Sequence, residues 1–564
     1  MSEIINDVDE NEKNKDLLQS EPNDNNFSKK RLLLLYGLTI AGVLLTIIIV
    51  FIISSKLGSS NSSDKNANIL LLKYVPESEV ETQLFNSKYI KYISSIKVDG
   101  KKISNITNMF LFNSSDEHSV EVELKENLDT MDQFFKEIQK LIEIDFSKIK
   151  TKEIKNMSEM FYNCISLISV NMSNFNTGKV ENMSNLFYGC YLLGSLELGN
   201  LNTSNVIDMS YMFYNCRSLT SLNIKNFNTK NLKEIKGMFL NCKFLTKIEL
   251  GENFISSKIT DISELFESCE KLKEVNLDNI DTSKVTNMNH LFFNCMSLTS
   301  INLEKFDTSN VIDMGGIFQG CTSVASFDLS KFDTSKVENM GHMFDTCLSL
   351  TSLDLKNLDT SKVKYMNQMF NRCSYIKDFD FSNFDTSEVI NMEGMFDFCT
   401  SLKYLDLKHF DTSKVTDMSY LFAASSNLIK VDLSSFNTKN VITMNNMFYG
   451  CHSLEELDLS SFDVSNLKSM WVMFNECGSL KSLNLSNFYT PKVEIMGGVF
   501  SKCINLTMID IRNFDSTSLP NKNTNLFTDI GLNNGTIYYN SAKFDDNLIV
   551  NNYNIKNWEK IDVK

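Results

Sequence analysis

The chain has 564 residues, 42% of them hydrophobic, and its 55 basic and 70 acidic residues give a formal net charge of −15 at pH 7. This composition can supply a sizeable core, which excludes a chain that is disordered throughout, and the acidic balance disfavours a nucleic-acid partner. Gly (21) and Pro (4) are scarce, so the residues that build ordinary turns are largely missing.

The N-terminal segment predicts a membrane anchor. A polar tail at 1–31 ends in three basic residues and is followed by an apolar run at 32–53. As a helix this run would extend about 33 Å, enough to cross a bilayer, and it exceeds the apolar stretch of a cleaved signal peptide. The basic flank predicts a single-pass type II membrane protein with a disordered cytoplasmic tail, a stalk at 54–67, and the remainder extracellular or lumenal.

The cysteines define an internal repeat. From Cys164 to Cys503 they are spaced 26 residues apart, except for one step of 27 and one of 52, where Ser425 occupies the empty slot. A fixed period of this length is typical of a solenoid. We predict fourteen repeats over 149–518, with capping regions at 68–148 and 519–564.

Each copy follows the pattern C-x-x-L-x-x-L-x-L-x-x-F-x-T-x-x-V-x-x-M-x-x-M-F-x-x-C. The L-x-L pair has the period of a strand, and the Val, Met, Phe and Cys slots have helical spacing. The predicted fold is therefore an α/β solenoid with short parallel strands on one face and short helices on the other. Because Pro491 suits a first helical position directly after Thr490, we interpret the Thr slot as a helix N-cap. The predicted N-caps are Thr308, Thr334, Thr360 and Thr490.

The Phe and Cys slots predict a buried ladder in the core. Buried thiols, a few cross-rung disulfides and metal binding are all conceivable for such a Cys column, and the apolar setting favours buried thiols. No nucleotide-binding loop, zinc motif or catalytic His arrangement is recognised. We therefore predict no enzymatic activity, no catalytic residue, no metal site and no cofactor. Representative ladder residues are Cys321, Cys347, Cys373, Phe318, Phe344 and Phe370.

An acidic column lies between the two inward leucines of the strand and is predicted to point away from the core. Neighbouring strands are about 5 Å apart, so repulsion between the carboxylates predicts that the pKa values of some of them are raised or that the column attracts counter-ions. Two interpretations remain open: a solvated face that discourages aggregation, or a docking strip for a basic or cation-bridged partner. The candidate ligand-facing residues are Asp328, Asp354, Asp380, Asp406, Asp432 and Asp458.

The segments Phe332–Cys347 (FDTSKVENMGHMFDTC) and Leu350–Leu355 (LTSLDL) resemble the BspA-like leucine-rich-repeat family, over residues 145–515. The resemblance implies a leucine-rich-repeat solenoid, a surface location and ligand binding or adhesion. We therefore predict a membrane-anchored surface protein that binds an extracellular protein or glycan ligand in cell adhesion. The alternative is a structural or scaffolding repeat protein without a specific extracellular ligand. The oligomeric state is left open.

Overall fold

The computed structural model describes residues 68–564, apart from 126–127, 150–152, 195, 199–200, 252–253, 255, 278–279, 521–524, 531–533, 546 and 551. These residues belong to one compact unit, Ala67–Lys564. The predicted cytoplasmic tail (1–31), membrane span (32–53) and stalk (54–67) lie outside the described residues.

A mixed, mostly antiparallel sheet covers the N-terminal end of the repeat array, in the order β4-β3-β6-β1-β7-β8. Strand β1 pairs with β6 and β7 in antiparallel register, and β7 then pairs in parallel with β8, which begins the stacked strands of the repeats. The first eight strands are β1 (Ile69–Tyr74), β2 (Glu81–Gln83), β3 (Ile93–Val98), β4 (Lys101–Lys102), β5 (Met109–Leu111), β6 (His118–Leu124), β7 (Leu141–Asp145) and β8 (Ser169–Asn171).

The later strands are parallel and lie one per rung. In four of them buried apolar residues alternate with exposed residues, as in Tyr404–Asp406, where Leu405 is the buried residue. The C-terminal end is a four-stranded parallel sheet, β13-β14-β15-β16. These strands are β9 (Ser221–Ile224), β10 (Lys247–Leu250), β11 (Tyr404–Asp406), β12 (Lys430–Asp432), β13 (Ser482–Asn484), β14 (Met508–Asp510), β15 (Thr536–Tyr539) and β16 (Glu559–Asp562).

Helix is almost absent from the described residues. There is one α-helix, α1 (Asn547–Val550), and there are two 3₁₀ segments, Ser87–Tyr92 and Tyr553–Ile555. Within the described ranges no helix has the length and apolarity that crossing a bilayer requires. The predicted single-pass type II placement is therefore not retained.

The predicted repeat helix is wrong. We call the eight residues from the first Met slot to the Cys slot, such as Met340–Cys347, the turn segment of a rung. Within it, alternate N–H groups donate to carbonyls of the next rung at 2.8–3.0 Å, whereas those of Met343, Asp345 and Cys347 donate to the carbonyl three residues earlier. An α-helix would direct these bonds along its own axis. The donors to the next rung are Met340, His342, Phe344 and Thr346.

Two left-handed residues in each turn segment account for this alternation. In the rung of Met340 they are His342 (φ 57°) and Thr346 (φ 59°), and the equivalent positions of the other rungs repeat them. The resulting succession of tight turns still buries Met340, Met343 and Cys347 completely. The buried residues of the turn segment therefore recur with the period of a helix, although the segment does not form one.

The same turn geometry extends beyond the cysteine column. Left-handed residues recur at Gln133 and Glu137 before the first Cys, and at Asn525 and Asp529 after the last one. A second parallel bridge column, formed by the residue before the first Met slot, begins with Thr130↔Asn156 and ends with Ser469↔Ile495. The described part of the chain is therefore a β-solenoid whose rungs are joined along both the strands and the turn segments.

Candidate functional site

The acidic strip, Asp328, Asp354, Asp380, Asp406, Asp432 and Asp458, lies on the strand face, and all six side chains are exposed. The parallel register of β11 and β12 pairs Asp406 directly with Asp432. Adjacent parallel strands are about 4.8 Å apart, so the column is continuous from rung to rung. The structure thus brings together the residues that the sequence singled out as ligand-facing.

Each carboxylate of the strip also closes a local turn. Its Oδ1 accepts a hydrogen bond from the backbone N–H two residues later, at 2.9–3.1 Å. These are Asx turns, in which a side chain replaces a backbone acceptor. The strip therefore has a structural role at the end of each strand as well as a surface role.

The hydrogen bonds reverse the predicted effect on the strip's pKa values. Hydrogen bonds from the side chain and backbone of Ser382 hold the pKa of Asp380 below its usual range. In Asp432 the bonds from Ser434 outweigh the opposing repulsion from Asp406. The expectation of raised values was wrong because it considered repulsion between rungs and missed donors within each rung. The pKa is lowered in Asp328, Asp380, Asp406, Asp432 and Asp458.

The surroundings of the strip are polar, with one large exposed ring. Tyr404, in the neighbouring outward column, is 64% exposed, and it pairs in register with Lys430. Lys408 forms an ion pair with Asp406 at 2.7 Å. Within the described ranges, no three His, Cys, Asp or Glu side chains converge so that they could hold a metal ion. The strip therefore offers ionised carboxylates and an aromatic side chain to a partner.

Two further Asx columns mark the other corners of a rung. In the bend before the Thr slot, Asp385 accepts from Ser387 N–H at 3.0 Å and Asp411 from Ser413 N–H at 2.8 Å. Before the Met slot, Asn339 accepts from Gly341 N–H at 2.9 Å. Asx turns at three corners of a rung therefore stabilise the changes of chain direction for which ordinary turns use Gly and Pro.

The structure places the predicted ladder residues in the core. Cys321, Cys347 and Cys373 are buried free thiols, and burial raises their pKa. The rings of Phe318 and Phe344 stack with centroids 5.9 Å apart, and Phe370 continues the stack at the same spacing. These columns pack inside the solenoid and do not reach the surface.

The Thr side chains predicted to cap helices precede no helix. Thr308, Thr334, Thr360 and Thr490 are buried instead. The Thr360 hydroxyl donates to the carbonyl of Asp385, 25 residues later, and accepts from the N–H of the same residue, both at 2.8 Å. The Thr side chain therefore links one rung to the next through two hydrogen bonds.

A hydrogen-bonded Ser–His–Asp line in the N-terminal sheet was not foreseen. His118 Nδ1 lies 2.7 Å from Asp99 Oδ2, and its Nε2 lies 3.1 Å from Ser114 Oγ. The Asp99 carboxylate is half exposed, and Nε2 also faces the Ser114 carbonyl at 3.3 Å. Nucleophilic catalysis needs a dry, oriented site, so we assign this line to the stabilisation of the N-terminal sheet, where it joins the end of β3 to the start of β6.

Two cavities lie away from the strip. One, of about 390 Å³, opens beside the 27-residue repeat, where Glu249 pairs with Lys225 and Lys247. The other, of about 610 Å³, lies between the last turn segments and is lined by Trp471 and Asn475. Neither was predicted, because each depends on a single departure from the repeat pattern.

A family model described as "Mycoplasma protein of unknown function, DUF285" matches the chain in overlapping segments that extend from residue 82 to residue 563. The matches recur along the array, and the resemblance to BspA-like leucine-rich repeats is confirmed. No curated protein matches the chain. The matched segments are 82–190, 129–251, 164–274, 260–378, 347–455, 422–539 and 452–563.

Several solved structures are similar to the chain. A leucine-rich repeat protein from Bacteroides ovatus has 16% identity and a TM-score of 0.38, over 74% of this chain and 88% of that one. The functional domain of InlJ from Listeria monocytogenes, which includes a cysteine ladder, has 16% identity and a TM-score of 0.20, over 66% and 74%. The ectodomain of the Arabidopsis thaliana receptor kinase GASSHO1/SCHENGEN3 has 12% identity and a TM-score of 0.16, over 71% and 59%.

Proposed function

We propose, from the premise that the chain belongs to the DUF285 family, that it is a non-catalytic binding protein whose acidic strip docks a basic protein ligand. The observation that carries the proposal is the exposed, in-register column of carboxylates on the strand face. Adhesion, the wider role predicted from the sequence, would be one use of such a surface.

The electrostatics of the strip favour a basic partner. The strip carboxylates are ionised at neutral pH, and turn hydrogen bonds lower the pKa of Asp380 and Asp458 further. A row of like charges in one column raises the local concentration of a cationic ligand and speeds its association. The exposed ring of Tyr404 adds an aromatic contact of the kind that is enriched in protein interfaces.

A charge-matched pair of triple variants tests the proposal. The strip variant carries Asp380→Asn, Asp432→Asn and Asp458→Asn, and the control carries Asp385→Asn, Asp411→Asn and Asp463→Asn in the bend column. All six residues are exposed and accept the same turn hydrogen bond. Asn can also accept that bond, so both variants should keep their turns.

Binding of cytochrome c, a basic globular protein, is measured by calorimetry at low salt. We expect the strip variant to bind about tenfold more weakly than wild type, because three charges at the contact are removed, and the bend variant to change less than about twofold. Equal weakening in both variants would show that only net charge matters. That result would favour the alternative of a scaffold whose strip is merely solvated.

A further inference from the structure

Three consecutive rungs carry Tyr in the slot directly after the repeated Phe. They are Tyr162, Tyr188 and Tyr214, each 26 residues from the next. The slot holds Tyr once more, at Tyr449, between Ala423 and Asn475 of the adjacent rungs. Equivalent slots of a solenoid lie next to one another, so the three consecutive tyrosines form a column on the turn segments, which we call the Tyr column.

The rings of the Tyr column are stacked. The centroids of Tyr162 and Tyr188 lie 4.4 Å apart with 11° between the ring planes, and those of Tyr188 and Tyr214 lie 4.2 Å apart with 18°. Spacings this short bring carbon atoms of neighbouring rings into van der Waals contact. The core rings of Phe187 and Phe213, in the same two rungs, are farther apart, at 5.8 Å. The Tyr column therefore holds adjacent phenols closer together than the neighbouring Phe column holds its rings.

The other contacts between tyrosine rings in the described part of the chain lack this overlap. Tyr211 meets Tyr214 edge to face, with 6.1 Å between centroids and 76° between planes. Tyr89 and Tyr92 are also 6.1 Å apart, with 44° between planes. All three members of the Tyr column are half-buried, so part of each side chain remains in contact with solvent. The column therefore combines stacked phenols with access for a dissolved oxidant.

We propose that Tyr188 is a site of oxidative cross-linking, where a peroxide-driven one-electron oxidant joins its ring to that of Tyr214 or Tyr162. Each phenol loses one electron and one proton, and the two phenoxyl radicals form a C–C bond between ring carbons ortho to the oxygens. The two ortho hydrogens then move to the oxygens, which restores both aromatic rings and both hydroxyls. Hydrogen peroxide takes up the two electrons and two protons and becomes two water molecules.

The product is a covalent link between consecutive rungs. It closes a loop between residues 26 positions apart in the sequence, and such a cross-link stabilises a fold mainly by restraining the unfolded chain. The Tyr column lies on the turn segments, whereas the acidic strip lies on the strands. The proposal is therefore independent of the function proposed for the strip.

Treatment of the full chain with a haem peroxidase and hydrogen peroxide tests the proposal. We expect dityrosine fluorescence in a product that migrates as a single chain on a denaturing gel. A glutamyl endopeptidase cuts after Glu181 and Glu197, so Tyr162, Tyr188 and Tyr214 fall in separate peptides. Mass spectrometry should find the Tyr188 peptide joined to the peptide of Tyr214 or Tyr162, with the loss of two hydrogen atoms.

Two matched variants identify the residue. Tyr188→Phe keeps the stacked ring and removes the central phenol, so the link should be lost, because Tyr162 and Tyr214 lie two rungs apart. Tyr449→Phe, at a half-buried tyrosine in the same slot, should leave the yield unchanged. Equal yields in the two variants, or dityrosine formed only between chains, would overturn the proposal. Oxidation of the exposed Tyr404 without a link at Tyr188 would also overturn it.

Discussion

Cys347 donates a hydrogen bond from its thiol to the backbone carbonyl of Phe318, with the two atoms 3.3 Å apart. The same bond recurs along the cysteine column. In the rung that lacks a Cys, the hydroxyl of Ser425 makes it instead, to the carbonyl of Phe396 at 2.8 Å. The slot therefore selects a small side chain with a donor, which explains why Ser occupies it once.

The first prediction concerns thiol reactivity. The thirteen cysteines are buried, and desolvation raises the pKa of Cys242 and Cys503 to about 12. At pH 8 almost no thiolate is present and reagents cannot reach the sulfur. We expect no reaction with a disulfide reagent such as DTNB in the native protein and release of thirteen equivalents after denaturation. A fast-reacting thiol in the native protein would contradict the buried ladder.

The second prediction concerns the Thr that links rungs. Thr360→Val removes a hydroxyl that pairs with both backbone groups of Asp385. Leaving a buried group unpaired costs about 1–3 kcal/mol, so the urea midpoint should fall and the Asp385 amide should exchange faster. The exposed Thr351→Val should change stability by less than about 0.5 kcal/mol. Equal effects of the two variants would show that the inter-rung bonds contribute nothing.

The third prediction concerns backbone strain in the turn segment. Val472 is a β-branched residue with a left-handed backbone (φ 46°), in the slot where Asn446 (φ 57°) and Gly394 (φ 59°) also lie. Such a conformation costs about 1–2 kcal/mol for an ordinary side chain. Val472→Asn should therefore raise the free energy of unfolding by about 1 kcal/mol. Gly394→Val, which introduces a β-branched residue in the same slot, should lower the free energy of unfolding. An increase in the free energy of unfolding from Gly394→Val would refute the left-handed assignment.

The fourth prediction concerns pH. The folded pKa of strip residues such as Asp380 and Asp432 lies below the unfolded value. The stability from their turns is therefore present above the unfolded pKa and is lost as pH falls through the folded one. Binding of cytochrome c at constant ionic strength should persist from pH 7 to about 4 and weaken below that. Loss of binding between pH 6 and 5 would instead indicate raised pKa values.

The repeat architecture could be predicted because its signals are periodic. The 26-residue spacing of Cys, the L-x-L strand and the Phe slot each recur, so the column to which Asp380 or Phe344 belongs follows from counting. The tight turns of the turn segment were not predicted, because the buried residues Met340, Met343 and Cys347 have the spacing along the sequence that a buried helix face would also have. The overlooked signal is the slot before each Cys, which carries Asn or Gly in many copies, as at Asn163 and Gly189; both are left-handed in the structure.

The candidate site was only partly predictable. The alternation of residues along the strand correctly predicted that the acidic strip lies on the open face. The hydrogen bond from the Ser382 N–H to Asp380 was not predicted, because it depends on a turn that the repeat pattern does not indicate. The cavity lined by Trp471 was missed for a different reason. It arises where a single Trp meets Gly497 and Gly498 in the next rung, and a consensus averages such departures away.

Zero-length crosslinking tests the central claim, that the strip is the docking surface, most directly. A carbodiimide joins a carboxylate to a lysine only where the two touch, and peptide mass spectrometry identifies the carboxylate. With cytochrome c bound, we predict crosslinks at Asp380, Asp432 and Asp458 that disappear at high salt. Crosslinks spread equally over the bend residues Asp385, Asp411 and Asp463 would contradict it.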